Sequence, residues 1–136
     1  MTKVEIYKDI VLKNSKAPLN NKIISPCTHS SMGNNPLCGD KIEIFANIKD
    51  KIISDVSFQG DGCAISIASA SILTQILKGK NLTQCSELIQ KFNQMIEKKE
   101  SIRNFTYLSK DHYELFSSFQ SISDFPMRRK CATLSW

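Results

Sequence analysis

"KIEIFANIKDKIISDVSFQGDG", residues 41–62, decides the fold class. Ile42, Ile44, Ala46 and Ile48 alternate with Lys41, Glu43 and Asn47, and side chains two apart in an extended chain share a face. The pattern predicts a strand with one face on the core. A polar tip, Lys49-Asp50-Lys51, interrupts it, and Ile52, Val56 and Phe58 resume the alternation before "QGDG". Two such runs around a short polar tip predict an antiparallel hairpin. The segment before Cys38 is the candidate for a third strand.

Downstream the period changes. "CAISIASASILTQILKGK", residues 63–80, is apolar on most sides and reaches a glycine stop at Gly79, which predicts a largely buried helix. Asn81 with Gln84 reads as a capping pair for a further helix, whose stripe is Leu82, Cys85, Leu88, Ile89, Phe92, Met95 and Ile96. Upstream, Val4, Ile6, Tyr7, Ile10 and Val11 recur at helical spacing, and Pro18 disfavours helix at Ala17. Tyr113, Leu115, Phe116 and Phe119 suggest a short helix, and Pro126 opens a last one. Strands first and helices after predict an α+β fold: one domain over residues 1–136, with a small antiparallel three-stranded sheet and helices packed on one face.

The 136 residues, 41% hydrophobic and 23% charged, suit one soluble globular domain. The N-terminus lacks the unbroken apolar run of a secretory signal and no segment could span a bilayer, so a cytoplasmic protein without membrane contact is expected. In a reducing compartment five cysteines, an odd count, argue against a disulfide framework and leave metal binding, catalysis or burial. The net charge of +5 comes from scattered lysines without interleaved aromatics, so nucleic acid is not an expected partner. "MRRK", residues 127–130, is the one local basic cluster and reads as a solvated helix start, ahead of RNA or DNA contact, with an acidic protein partner as a third reading.

"NNPLCGD", residues 34–40, sets a thiol and a carboxylate two residues apart. If the chain is extended there, Cys38 and Asp40 address one point, with Gly39 allowing close backbone approach. Zinc or iron accepts such a mixed soft and hard pair. Cys63 opens the buried helix, where N–H groups and the helix dipole favour a thiolate. Cys131 follows Arg128, Arg129 and Lys130, whose charge acts in the same direction. These are four donors, but no C-x-x-C pair occurs, and spacing leaves a shared metal site and plain buried cysteines both open. Cys85, inside an apolar stripe, reads as core. Cys27 and His29 in "SPCTHSSMG" read as solvated loop residues, with a second metal site as the alternative, and His112 reads as a surface residue.

"NPLCGD", "SFQGDGCAISIASASILTQILKGK" and "FPMRRKCATLSW" closely resemble the three cysteine segments of the SufU branch of the IscU/NifU-N-terminal family of iron-sulfur assembly proteins. The resemblance runs from about Tyr7 to Trp136. It implies an α+β fold with the metal site exposed at one end and ligands at Cys38, Asp40, Cys63 and Cys131. It implies zinc as the bound metal and sulfur taken from a pyridoxal-phosphate cysteine desulfurase of the SufS type. Cys38 would carry the persulfide toward a SufBCD-like cluster-assembly complex. Lys130 stands where IscU-type chains carry histidine, and residues 97–124 resemble the insertion of SufU-type chains; both favour sulfur transfer. The alternative is a scaffold that binds iron and builds a [2Fe-2S] cluster to hand on. A third reading, a non-catalytic interaction module with structural zinc, is disfavoured by Asp40, because closed structural sites are usually all cysteine and histidine.

The chain departs from the family's N-terminal pattern. Tyr7, Pro18 and Asn20 are kept, whereas Lys13 and Asn14 replace an acid and a histidine and Leu19 replaces an arginine. A changed desulfurase-facing surface is expected. The short tail after Cys131 is expected to hold that cysteine less firmly.

Overall fold

The computed structural model describes residues 3–36, 39–98 and 107–136; Cys38 and residues 99–106 of the insertion-like segment lie outside them. Helix α1 (Lys3–Lys16) precedes strands β1 (His29–Asn35), β2 (Asp40–Lys49) and β3 (Ile52–Asp61). Helices α2 (Ala64–Leu77), α3 (Leu82–Lys98) and α4 (Lys110–Ser117), a 3-10 turn (Gln120–Asp124) and α5 (Pro126–Thr133) follow. The strands form an antiparallel meander in the order β1-β2-β3. This is the α+β arrangement that the alternation predicts, third strand included. Val4, Ile6 and Tyr7 fall on α1, but their side chains lie outside the described ones.

Asp50 and Lys51 make the tip of the β2–β3 hairpin, both with positive φ (53° and 62°). Such two-residue turns match the right-handed twist of the flanking strands. Near the tip the register slips: Asn47 faces Asp55 but Ile48 faces Ile53, so Ser54 is an extra residue. Its hydroxyl donates to Asn47 O at 3.0 Å. This bulge corrects the expected core face, because one inserted residue turns the strand over. Val56 and Phe58 are buried as expected, but Ile53 joins them while Ile52 is 43% exposed. On the opposite face the cross-strand pair Phe45 and Ser57 is also buried.

Helix α2 is buried on most sides, as its composition predicts. Its serines are interior tethers. Ser71 Oγ and Gln75 Nε2 each donate to Asn14 Oδ1 at 2.8 Å, and Leu19 N–H donates to Ser71 Oγ at 2.9 Å. Asn14, at a position where the chain departs from the family pattern, thus clamps α1 to α2. At the far end Gly79 turns with φ +84° and donates its N–H to Ile53 O at 2.7 Å, fastening the helix stop to the hairpin.

The predicted capping pair on α3 is present, with Gln84 N–H donating to Asn81 Oδ1 at 2.8 Å and Asn81 N–H to Gln84 Oε1 at 3.2 Å. Cys85, Leu88, Phe92, Met95 and Ile96 are buried. Leu82 leaves the stripe, 40% exposed, because its N–H is drawn out to Lys51 O at the hairpin tip. Phe92 packs edge-on to Phe116 and Phe119 and stacks on Trp136 with centroids 4.1 Å apart.

Candidate metal centre

The start of one strand, the start of one helix and the middle of another meet at one end of the sheet. Asp40 is the first residue of β2 and is fully buried. Cys63 is the N-cap of α2, and its backbone N–H donates to Asp40 Oδ1 at 2.8 Å. A carboxylate at a helix start lies where unpaired N–H groups and the helix dipole favour negative charge. Cys131, on α5, is also fully buried. One ligand atom from each of Asp40, Cys63 and Cys131 lies within 4.8 Å of the others.

The donor set fits a metal such as zinc. Tetrahedral zinc with bonds of ~2.0–2.3 Å spaces its ligand atoms ~3.5–3.8 Å apart. Cys63 Sγ and Asp40 Oδ2 stand 3.9 Å apart. Thus three donors separated by 23 and 68 residues of chain are brought to metal-binding spacing.

The expected geometry around Gly39 is corrected. Gly39 lies in the β1–β2 turn with φ +70°, so strand alternation does not govern the step from Cys38 to Asp40. A Cβ built at Gly39 meets nothing within 4 Å, so the glycine serves the left-handed turn rather than close packing. Close approach occurs at Gly62 instead, where a Cβ would sit 2.8 Å from Asp40 Oδ1 and closer still to Ser66 Oγ.

Cys131 is held firmly, contrary to the expectation from its short tail. Ser69 Oγ donates to Ala132 O, and Trp136 Nε1 donates to Ser69 Oγ at 2.9 Å while its ring stacks on Phe92. Helix α5 and the residues after it are therefore pinned to α2 through Ser69, on the C-terminal side of the cysteine. Cys85 is core, its Sγ 3.9 Å from Leu77 O and from Lys80 O, and burial pushes its thiol up from the ordinary range. Cys27 is half-buried and His29 exposed, with His29 Nδ1 2.9 Å from Thr28 Oγ1; neither joins a three-donor group among the described residues. His112 is half-buried, and burial lowers its imidazole below the ordinary value.

Two neighbours of the donors have no counterpart in the sequence reading. Ser66 Oγ lies 3.7 Å from Cys63 Sγ and donates to Cys63 O at 3.0 Å. Asn35, 1% exposed at the end of β1, places Nδ2 3.5 Å from Asp40 Oδ2 and 3.6 Å from Cys131 Sγ. The spacing of Ser66, three residues after Cys63 at a helix start, was a usable signal; Asn35 meets Cys131 only through the tertiary fold.

No helix among the described residues is long and apolar enough to cross a membrane. The zinc-dependent sulfurtransferase SufU of Bacillus subtilis (strain 168) is 35% identical over 133 residues, covering 96% of this chain and 84% of that protein. The iron-sulfur cluster assembly scaffold protein IscU of Streptococcus pyogenes serotype M1 is 31% identical over 131 residues, covering 96% of this chain and 78% of that one. A crystal structure from Fervidobacterium islandicum AW-1, assigned to iron-sulfur cluster assembly in the SUF system, superposes with a TM-score of 0.82 at 27% identity, covering 97% of this chain and 92% of that chain. The N-terminal part of a NifU-like protein from Brucella abortus shares the fold, with a TM-score of 0.83 at 14% identity over 98% of this chain and 90% of that one. Residues 6–132 match the NifU-like N terminal domain, and the chain belongs to that family.

Proposed function

We propose that the chain is a zinc-dependent sulfur carrier for iron-sulfur cluster assembly, working in the cytoplasm with a pyridoxal-phosphate cysteine desulfurase. Asp40, Cys63 and Cys131 would hold the metal together with Cys38. The observation that carries this reading is the convergence of a carboxylate and two cysteines within 4.8 Å at one end of the fold. Bound zinc would keep its cysteine ligands deprotonated at neutral pH. Cys38 is the sulfur acceptor: its thiolate attacks the outer sulfur of the desulfurase persulfide, a new S–S bond forms at Cys38, and the desulfurase cysteine leaves as a thiolate. The sulfur would then pass to a SufBCD-like assembly complex.

The buried Asp40 and the match to an IscU scaffold over 96% of this chain favour one second reading. A [2Fe-2S] cluster would be the cargo, assembled on the same donors and released because a hard carboxylate holds iron weakly among thiolates.

Metal analysis and an absorption spectrum of protein purified without oxygen separate the two. Colourless protein with one zinc per chain supports the carrier; coloured protein with iron and acid-labile sulfide supports the scaffold. With labelled cysteine as sulfur donor, Cys38→Ala is expected to lose both labelling and stimulation of desulfurase turnover. Retention of both would remove Cys38 from the mechanism.

A further inference from the structure

We propose that Asn35 is a positioning residue of the metal centre, its side-chain amide spanning Asp40 and Cys131 and holding carboxylate and thiolate at the spacing that binds the ion. This rests on the reading of Asp40, Cys63 and Cys131 as metal ligands. Asn35 is paired with Asp40 across the β1–β2 ladder, so the sheet itself delivers the amide to the carboxylate. From there one Nδ2 group faces two acceptors on different elements, Asp40 Oδ2 at 3.5 Å and Cys131 Sγ at 3.6 Å. An amide nitrogen carries two N–H donors, one for each. The reverse orientation would aim a carbonyl oxygen at a carboxylate and a sulfur, three acceptors together.

Burial makes the choice of residue informative. Asn35 is 1% exposed, and among the described residues nothing donates to its Oδ1. A buried acceptor without a partner is a cost that an apolar side chain of similar shape would avoid. The residue is therefore poorly explained by stability, whereas its two donors point at the atoms that would carry negative charge. Cys131 and Asp40 lie 91 residues apart in the chain, and the amide is the side-chain group that bridges them directly among the described hydrogen bonds. Groups that hydrogen-bond to metal ligands orient them and tune their donor strength.

The test uses the full chain, with Asn35→Leu, similar in volume and without donors, and Asn35→Ala. Zinc affinity is read by competition with a chromophoric chelator. Thiolate-to-metal charge transfer is read on the cobalt-substituted protein, and melting is read on the metal-free protein. Zinc affinity is expected to fall about 10–100-fold. The charge-transfer band is expected to move to lower energy, since losing an N–H donor raises the sulfur lone pair, while metal-free melting holds or rises. An unchanged affinity and band would overturn the proposal. So would variants that lose metal-free stability with the cobalt band unmoved, or that fail to fold even with zinc, since either marks a structural role. A wild-type chain that binds neither zinc nor cobalt would overturn the metal-centre reading as well; wild-type binding with unaltered variants would overturn the role of Asn35 alone.

Discussion

Gly62→Ala is the sharpest probe of how the centre is built. A methyl group at residue 62 would sit 2.8 Å from Asp40 Oδ1, and ordinary contact begins near 3.4 Å. The carboxylate must retreat by ~0.6 Å, and the bond it would stretch is the one from Cys63 N–H, now 2.8 Å long. At that displacement the bond leaves the 2.7–3.2 Å range of real N–H···O hydrogen bonds. A hydrogen bond to a charged group contributes ~1.5–3 kcal/mol, and Asp40 is fully buried. Ser66 Oγ, closer still to the new methyl, must also rotate and give up its 3.0 Å bond to Cys63 O. Urea unfolding of the metal-free protein should show a loss of ~2 kcal/mol or more, and chelator competition a zinc affinity at least about tenfold weaker. Adding Ser66→Ala relieves the hydroxyl contact but leaves the one to Asp40, so the double variant should regain stability before it regains zinc. The reasoning is refuted if Gly62→Ala stays within ~0.5 kcal/mol and about twofold of the parent, the range of an inert surface change.

Other parts of the molecule give equally definite expectations. Phe92→Ala removes the ring on which Trp136 stacks and should cost ~3–5 kcal/mol; Trp136 is the sole tryptophan, so its emission should shift to the red, and an unshifted spectrum would contradict the stacking. Asn81→Ala breaks the reciprocal cap of α3 and should cost ~1 kcal/mol, or about 3–5 °C in melting temperature. Burial, with Glu87 adding to it, pushes the Tyr107 phenol up to about 12, and burial pushes up the Cys85 thiol against the opposing charge of Lys80. Unfolded, the thiol ionises near ~8.5 and the phenol near ~10, so above those values the folded chain holds protons that the unfolded chain has lost. Stability is then full below about pH 8.5 and declines as pH rises toward 12. Tyr107→Phe should flatten the upper part of that decline, and an unchanged profile would rule out the phenol as its source.

The elements were readable where a single period governs them. Helix α2 and the capped stripe of α3 need no long-range information beyond a core to face, and both lie where composition puts them. Ile52 and Ile53 show the limit. Both are β-branched and apolar, so nothing local says which of the two faces inward, and a strand pattern written without a bulge assigns the wrong one. Asp40, Cys63 and Cys131 were legible because each is a donor in a recognisable local context. Asn35 and Gly62 were not singled out, because an amide and a missing side chain acquire meaning only beside donors delivered by another element, whereas Ser66, one helical turn after Cys63, was within reach of a local reading.

The bulge links that limit to the site. Beyond it, residues of β2 and β3 pair with numbers summing to 102, as in Lys41 with Asp61, whereas at the tip Ile48 with Ile53 and Lys49 with Ile52 sum to 101. Ser54 therefore sets which residue comes back to the level of Asp40. Pairing Ser54 with Asn47, with no bulge, would carry the tip register through and bring Asp61 there, and Gly62 and Cys63 would move along by one residue, ~3.3 Å. The carboxylate would then face a second carboxylate, where like charges destabilise the pair, instead of the N–H of Cys63 and the space that Gly62 leaves open. The end of the molecule that gathers Asp40, Cys63 and Cys131 is thus specified at the opposite end of the hairpin, by one serine whose hydroxyl closes the bulge onto Asn47. In the sequence Ser54 reads as one polar residue in the phase of Ile52, Val56 and Phe58, which is why the fold can be read from that alternation while the register that brings Cys63 to Asp40 cannot.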